Sequence, residues 1–264
     1  MANQSDIVVT AAHCVSRSNG FLPPDDIKAV FGVHDLNEDE PTVTFRSVRN
    51  YVSHMYSYEK DDNDIAILRL TELVTYTKEI SPLCLPTKHT VTSEIKHCFA
   101  AGWGRTETDE MSTVLKQTRM HIAPMSQCPY AERVDRAICA RTHYKGSIPC
   151  RGDSGSPLFC EIRGRYFALG ILSLGPRNCT DQENDVGLYA RLDIYNEWIR
   201  KKIKLLKTAP DQSMHTVMQG HIRAKPKLNV PGLLSLVHRG GKTGHLQATD
   251  LIAILSGYHE RLIH

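Results

Sequence analysis

Residues 152–157 read Gly152-Asp153-Ser154-Gly155-Ser156-Pro157, and this stretch decides how the rest of the chain is interpreted. Clusters of Asp, Ser and Gly are typical of turns. A serine hydroxyl in such a turn is a poor nucleophile until a neighbouring base removes its proton. The stretch therefore directs attention to histidine and carboxylate residues elsewhere in the chain.

Two motifs upstream supply those residues: Thr-Ala-Ala-His-Cys at 10–14 and Asp-Asn-Asp-Ile-Ala-Ile-Leu at 62–68. His13 can accept the serine proton and return it to a leaving group, because imidazole titrates near neutral pH. Asp64 can hold the ring in one tautomer and stabilise the imidazolium that forms. Each motif alone is weak, but together they predict a catalytic triad of His13, Asp64 and Ser154.

In order and spacing the three motifs resemble the trypsin and chymotrypsin type of serine protease, from about residue 7 to about residue 204. The resemblance implies an all-β fold of two six-stranded antiparallel Greek-key barrels followed by a C-terminal α-helix. It also implies a serine endopeptidase that cleaves protein or peptide substrates through an acyl-enzyme intermediate. The backbone N–H groups of Gly152 and Ser154 would form the oxyanion hole.

Short β-forming runs separated by turn signals favour the all-β class independently. The runs lie at 7–10, 29–31, 42–45, 65–68, 99–101, 167–172 and 187–190. From Asp193 the apolar residues recur at helical spacing, which predicts a C-terminal helix with Asp193 as its N-cap. We therefore expect a protease domain at 1–204, with an unrelated tail at 205–264 that is flexible or partly helical.

The specificity pocket follows from the resemblance. In the resembling enzymes the residue six before the nucleophile forms the pocket floor, and here that residue is Ile148. Since no acidic group stands there, we expect a preference for an apolar residue before the scissile bond. Ser173, Gly175 and Gly187 are the implied pocket walls, and the two glycines should leave room for a large side chain.

The chain has eight cysteines and no Cys-x-x-Cys pair, a pattern that favours disulfides and an extracellular location over a zinc site. The resemblance implies three bridges: Cys98 with Cys160, Cys128 with Cys139, and Cys150 with Cys179. Two cysteines are left over. By the same resemblance, Cys14 would pair with an upstream cysteine, and Cys84 with a cysteine in a light chain or pro-segment.

The start of the chain departs from the resembling pattern, because His13 follows Met1 so closely. We expect the first barrel to be incomplete at its N-terminal side, and residues 1–9 show no secretory signal. In the resembling enzymes a terminal ammonium released by cleavage sits beside the aspartate that precedes the nucleophile. Without it, we expect Asp153 to turn away and leave the Gly152 donor misaligned.

Several functions are disfavoured by composition. A net charge of +3 predicts neither nucleic-acid nor membrane binding, and no apolar run is long enough for a transmembrane helix. We expect no cofactor and no metal, and interpret Asp35 and the acidic residues at 38–40 as a solvated loop rather than a calcium site. Two other hypotheses stay open: a catalytically silent protease-like binding module, and an incomplete fragment of a larger secreted protease.

Overall fold

The computed structural model describes residues 4–17, 20–54, 63–90, 92–128, 135–176, 178–180 and 185–208. Within these ranges the chain is mostly β-strand with one α-helix, which confirms the all-β class. The elements are β1 Gln4–Thr10, β2 Ser16–Arg17, β3 Gly20–Phe21, β4 Lys28–Phe31, β5 Thr44–Ser53, β6 Ala66–Thr75, β7 Ile95–Gly102, β8 Lys116–Ala123, β9 Ala137–Thr142, β10 Pro157–Ile162, β11 Arg165–Leu174, β12 Val186–Arg191 and α1 Leu192–Thr208.

The second half of the chain forms a closed antiparallel barrel, with strand order β10-β11-β12-β9-β8-β7. Its interior is filled by side chains that are almost fully buried, among them Met120, Leu158, Leu172 and Tyr189. Side chains alternate between the two faces of each strand, and β11 and β12 are buried along most of their length. This barrel matches the six-stranded unit that the sequence predicts.

The first half forms an open sheet in the order β1-β6-β5-β4, with β2 and β3 pairing separately. Its apolar face is covered by residues such as Val8, Phe31, Val48 and Leu68. In the described structure β1 and β4 do not pair with each other. An apolar cavity of about 320 Å³ lies along this open side, lined in part by β1 and β4. The expectation of an incomplete first barrel is therefore confirmed.

The described cysteines pair as the resemblance implied. The bridges are Cys98–Cys160, Cys128–Cys139 and Cys150–Cys179. All of these residues belong to the second half of the chain. Cys14 and Cys84 are half-buried free thiols.

The helix α1 packs across the junction of the two halves. Leu192, Tyr195 and Ile199 share one apolar cluster with Ile65 of the first half and Ile171 of the second. No helix in the described ranges is long and apolar enough to span a membrane.

Some details differ from the sequence predictions. Asp193 lies in the first turn of α1 and binds Arg191 at 2.6 Å, so it is not the N-cap. β5 begins at Thr44, whereas the run at 42–45 predicted an earlier start. β8, β9 and β10 were missed because polar residues or cysteines interrupt their apolar pattern. α1 continues past the predicted domain boundary at residue 204. Residues 209–264 lie outside the described residues, so the boundary and the tail stay predictions.

Candidate active site

His13 and Asp64 come together because β1 pairs with β6. The strands are antiparallel, and Thr10 at the end of β1 lies opposite Ala66 at the start of β6. His13 follows β1 in a short 3-10 turn over Ala12–Val15, and Asp64 shortly precedes β6. Antiparallel pairing places the residues that follow one strand beside those that precede the other.

Asp64 contacts both the backbone and the ring of His13. Its Oδ1 accepts a hydrogen bond from the His13 backbone N–H at 2.9 Å, and its Oδ2 lies 2.6 Å from His13 Nδ1. Asp64 is only 2% exposed, so solvent competes little for these contacts. With the proton of the neutral ring on Nδ1, Nε2 is left as the acceptor that a general base requires.

The same contacts determine the pKa of His13. Burial lowers the pKa of the imidazole, but the hydrogen bond to Asp64 and the neighbouring Cys14 thiol outweigh it, and the net shift is upward. The carboxylate therefore stabilises the imidazolium form, which is the form that His13 would take after accepting a proton.

Ser173 makes a contact that the sequence did not suggest. Its hydroxyl donates to Asp64 Oδ2 at 2.6 Å, and both residues are buried although 109 positions separate them in the chain. Ser173 lies near the end of β11 in the second barrel, so this bond crosses between the two halves. The residue predicted as a pocket wall thus also holds the carboxylate of the first half.

Ser154 is exposed in a turn attached to β11. The Gly155 N–H donates to the Leu172 carbonyl at 3.0 Å, and the Leu172 N–H donates to the Ser156 carbonyl at 2.8 Å. Gly152 and Gly155 have φ values of 99° and 80°, in the left-handed region that favours glycine. The glycines on either side of the serine therefore fit the backbone of this turn.

Gly155 brings the Ser154 turn against the segment that carries His13. A Cβ atom at position 155 would collide with Thr10 Oγ1 and lie 3.2 Å from Cys14 Sγ. Ser154 and His13 lie on either side of this contact. Both are described, and no hydrogen bond joins the Ser154 hydroxyl to the His13 ring. Such bonds are often long in free enzymes and shorten when substrate binds.

Two backbone donors lie beside Ser154. Within the described residues, neither the Gly152 N–H nor the Ser154 N–H donates a hydrogen bond to another group. Met111 covers part of Gly152, since a Cβ at position 152 would lie 2.8 Å from Met111 Cε. Both donors remain available to an oxyanion.

The structure corrects the expectation for Asp153. Its carboxylate does not turn away: Oδ1 accepts from the Gly104 N–H at 2.8 Å, and Oδ2 accepts from the Cys150 N–H at 2.9 Å. Burial raises the pKa of Asp153 to about 6, although these two donors oppose the shift. Gly102 and Gly104 make room for the carboxylate, because a Cβ at either position would collide with it. The Gly102-Trp103-Gly104 turn therefore makes room for the Asp153 carboxylate, a role that the sequence analysis missed.

The remaining predicted pocket residues lie close to this segment. Ile148 is buried and presents no acidic group. A Cβ at Gly175 would lie 2.9 Å from the Pro149 carbonyl oxygen, and a Cβ at Gly187 would lie 3.0 Å from Tyr189 Cε2. There is thus little room for side chains at the two glycines.

Tyr189 is a further residue that the sequence analysis missed. It is fully buried, and its hydroxyl makes no hydrogen bond in the described part of the chain. Burial raises the pKa of the phenol, and the charge of Asp153 adds to this shift, so the hydroxyl stays protonated at neutral pH. Gly187 and Tyr189 are two positions apart on β12 and therefore lie on the same face of that strand. The spacing from Gly187, a predicted pocket residue, could have identified Tyr189 from the sequence.

Within the described ranges, no group of three or more His, Cys, Asp or Glu side chains is placed to hold a metal ion. In the acidic loop, Glu40 Oε1 accepts from the backbone N–H groups of His34 and Asp35 at 2.9 and 2.6 Å. Glu40 therefore binds the backbone of its own loop.

Comparisons with known proteins agree with this architecture. The family profile described as Trypsin matches residues 1–199. Granzyme M of Rattus norvegicus is 34% identical over 204 residues, which cover 74% of this chain and 75% of that protein. Chymotrypsin-like elastase family member 1 of Canis lupus familiaris is 31% identical over 215 residues, which cover 74% of this chain and 77% of that protein.

The chain belongs to the trypsin family of serine proteases. Membership supports the general class of serine endopeptidase, a hydrolase that acts on protein or peptide substrates.

Proposed function

We propose that this chain is a serine endopeptidase in which Ser154 is the nucleophile, His13 the general base and acid, and Asp64 the carboxylate that orients His13. The observation that carries the proposal is the buried contact of 2.6 Å between His13 Nδ1 and Asp64 Oδ2, beside the turn that presents Ser154. If these residue types were paired by chance, nothing would require Gly155 to pack closely against the segment that carries His13.

In the first half of the reaction, Ser154 Oγ attacks the scissile carbonyl carbon while His13 Nε2 takes the hydroxyl proton. The oxyanion accepts hydrogen bonds from the Gly152 and Ser154 N–H groups. The C–N bond then breaks, and the leaving amine takes the proton from His13.

In the second half, water attacks the acyl ester of Ser154. His13 accepts a proton from the water, and the ester bond then breaks as the proton returns to Ser154 Oγ. The carboxylic acid product leaves and the free enzyme is restored. Asp64 stabilises the imidazolium in both halves without itself becoming protonated.

The substrates we propose carry an apolar residue immediately before the scissile bond. Ile148 supports this preference, because it places a buried hydrocarbon where an acidic group would be needed to bind Arg or Lys. Gly175 and Gly187 support a large side chain, since neither adds a Cβ to the walls.

We also propose an extracellular location, which the three disulfides support. Cys84 is the candidate for a bond to a light chain or pro-segment, because it is a half-buried free thiol. Its Sγ accepts a hydrogen bond from the Arg165 guanidinium at 2.9 Å.

A silent binding module or an incomplete fragment is the competing hypothesis. The observation that favours it is the absence, between two described residues, of a hydrogen bond from Ser154 to His13. Labelling with a fluorophosphonate probe separates the alternatives, because the probe reacts with an activated serine.

We expect the folded protein to be labelled at Ser154, Ser154→Ala to lose the label, and the matched variant Ser156→Ala to keep it. No label on protein shown by circular dichroism to be folded would contradict the endopeptidase proposal. Label retained by Ser154→Ala would contradict the assignment of the nucleophile.

Peptides that differ only in the residue before the scissile bond test the pocket. We expect phenylalanyl or leucyl peptides to be cleaved faster than arginyl peptides, and Ile148→Asp to shift the preference toward arginine. Faster cleavage of arginyl peptides by the unmodified protein would overturn the apolar preference.

A further inference from the structure

An exposed asparagine lies in a short turn near the proposed specificity pocket, and the proposed reaction does not use it. This residue is Asn178 in the stretch Asn178-Cys179-Thr180, which has the Asn-x-Ser/Thr pattern that accepts N-linked glycans in secreted proteins. So short a pattern arises by chance in many chains. Its use therefore depends on whether the fold leaves the asparagine accessible.

The two polar side chains of this turn face solvent, while the residue between them is anchored. Asn178 and Thr180 are both exposed, whereas Cys179 is only 3% exposed. Cys179 forms a disulfide with Cys150. The crosslink holds the centre of the turn against the body of the protein and leaves the asparagine on the outside. A glycan on Asn178 is therefore compatible with the folded structure.

Hydrogen bonds within the turn fix the orientation of the Asn178 amide. Its Oδ1 accepts from the Thr180 backbone N–H at 3.0 Å and from the Thr180 hydroxyl at 2.8 Å. A backbone N–H can only donate, so the atom that faces it must be the amide oxygen. The amide nitrogen Nδ2 then points away from Thr180, and in the described part of the chain it makes no hydrogen bond. This nitrogen is the atom that would carry a sugar.

The stretch Asn3-Gln4-Ser5 has the same pattern but a different setting. Ser5 belongs to β1 and pairs with Val74 of β6. Its Oγ accepts from the Ile7 N–H at 3.1 Å. Asn3 itself lies outside the described residues, so a test of Asn178 must separate the two stretches by peptide mapping.

The Asn178 turn lies close to the proposed pocket. Gly175, a proposed pocket wall, precedes Asn178 by three residues. The disulfide holds Cys179 to Cys150, which follows Ile148 by two residues. Since three residues span at most about 11 Å, a glycan on Asn178 would begin near the place where the substrate side chain enters.

We propose that Asn178 carries an N-linked glycan, and that this glycan restricts the proposed protease to flexible peptide segments. In the modification, Asn178 Nδ2 bonds to the anomeric carbon of an oligosaccharide carried on a lipid diphosphate. The bond from that carbon to the diphosphate oxygen breaks, and the nitrogen loses one proton as the lipid diphosphate leaves. The glycan requires passage through the secretory pathway, which the three disulfides support. The restriction on substrates rests on the endopeptidase function proposed above.

The restriction follows from the size of a glycan, which is bulky and solubilising. An extended peptide enters the site as a single chain and can pass beside the glycan. A folded protein brings a wide surface with its scissile loop, and that surface meets the glycan at the edge of the pocket. Folded substrates are therefore excluded more strongly than flexible ones.

Intact mass tests the modification. The full chain is secreted from cultured animal cells behind a heterologous leader, and its mass is measured before and after an amidase removes N-linked glycans. We expect most molecules to lose mass, and removal in water enriched in heavy oxygen to label position 178 in the peptide map. Folded protein recovered with an unmodified Asn178 would overturn the proposal.

Matched variants assign the site. Asn178→Gln and Thr180→Ala should both lose the glycan at position 178, whereas Thr180→Ser keeps a hydroxyl and should retain it. Asn37→Gln changes an exposed asparagine outside the pattern and should leave the glycan in place. Thermal unfolding shows whether each variant is folded. An unchanged glycan mass in folded Asn178→Gln would place the glycan elsewhere and overturn the assignment.

Substrate size tests the restriction. A short phenylalanyl peptide and a folded protein with the same bond in a surface loop are offered to the parent, to Asn178→Gln and to Asn37→Gln. In Asn178→Gln we expect kcat/KM to change less than about twofold for the peptide and to rise about fivefold for the folded protein. Asn37→Gln should match the parent on both substrates.

The outcomes of this comparison are distinct. Equal changes for the two substrates in Asn178→Gln would overturn the restriction while the endopeptidase function stands. If no form cleaves either substrate, the endopeptidase function is wrong and the restriction falls with it. The masses decide the glycan in either case.

Discussion

The two halves of the molecule are built differently. The second is a closed six-stranded barrel that contains the three disulfides, whereas the first is an open four-stranded sheet with an apolar cavity of about 320 Å³ on its open side. Closure leaves no free strand edge, and crosslinks restrict the unfolded chain. The difference implies that the second half is the more stable scaffold.

The proposed catalytic groups are divided between these unequal halves. Ser154, Gly152 and the pocket residues belong to the second half, while His13 and Asp64 belong to the first. Catalysis by residues from both halves requires both halves to stay folded and in place. Because the open sheet is the less stable half, its local unfolding should abolish activity before the closed barrel unfolds.

Removing the carboxylate of the first half should give the largest effect. We expect Asp64→Asn to lower kcat by about 10⁴-fold, because the ring loses the partner that selects its tautomer. The pKa of His13 is raised through Asp64, so the acidic limb of the pH–rate profile, on which His13 must lose a proton to act as a base, should move to lower pH in this variant. Stopped-flow or steady-state hydrolysis of a phenylalanyl peptide at several pH values measures both.

Asp193→Asn is the control, because Asp193 is bound to Arg191 at the start of α1 and makes no hydrogen bond to His13 or Asp64 in the described structure. It should keep normal activity and the normal pH profile. An Asp64→Asn enzyme with unchanged kcat would show that the first half does not contribute the proposed carboxylate.

Breaking a crosslink tests the stability of the second half. Cys98→Ser combined with Cys160→Ser should lower the free energy of unfolding by about 2–4 kcal/mol, because the open chain gains conformational freedom. Urea unfolding followed by circular dichroism gives the value. The control Cys84→Ser removes a free thiol and should change the free energy by less than about 1 kcal/mol. Equal effects of the two changes would contradict the assigned difference between the halves.

The smallest predicted effect concerns Asp153 in the second half. Its pKa of about 6 in the folded protein exceeds the unfolded value of 3.8, so the folded state binds more protons between these pH values. The contribution of Asp153 to stability is therefore fully present below about pH 4. It is lost as pH rises through about 6.

Asp153→Asn should flatten this part of the pH–stability curve, whatever its absolute stability. Urea titrations at pH 4, 5, 6 and 7 measure the slope. A curve as steep in the variant as in the parent would assign the pH dependence to other groups.

The sequence could predict what depends on local motifs. The glycines around Ser154 match a turn that needs left-handed backbone, and the apolar period after Asp193 matches α1. The sequence could not predict contacts set by long-range register. Ser173 binds Asp64 only because β11 ends at the junction, and Asp153 stays buried only because the Gly102–Gly104 turn reaches it. The exposure of Asn178 likewise follows from the fold, although the pattern around it is local.

The contact at Gly155 has a consequence for how this chain can vary. Thr10 and Cys14 of one half occupy the space that a methyl group on Gly155 of the other would need. A substitution at any of these three positions therefore changes the permitted choices at the other two. Across related sequences, we therefore expect these three positions to covary between the halves.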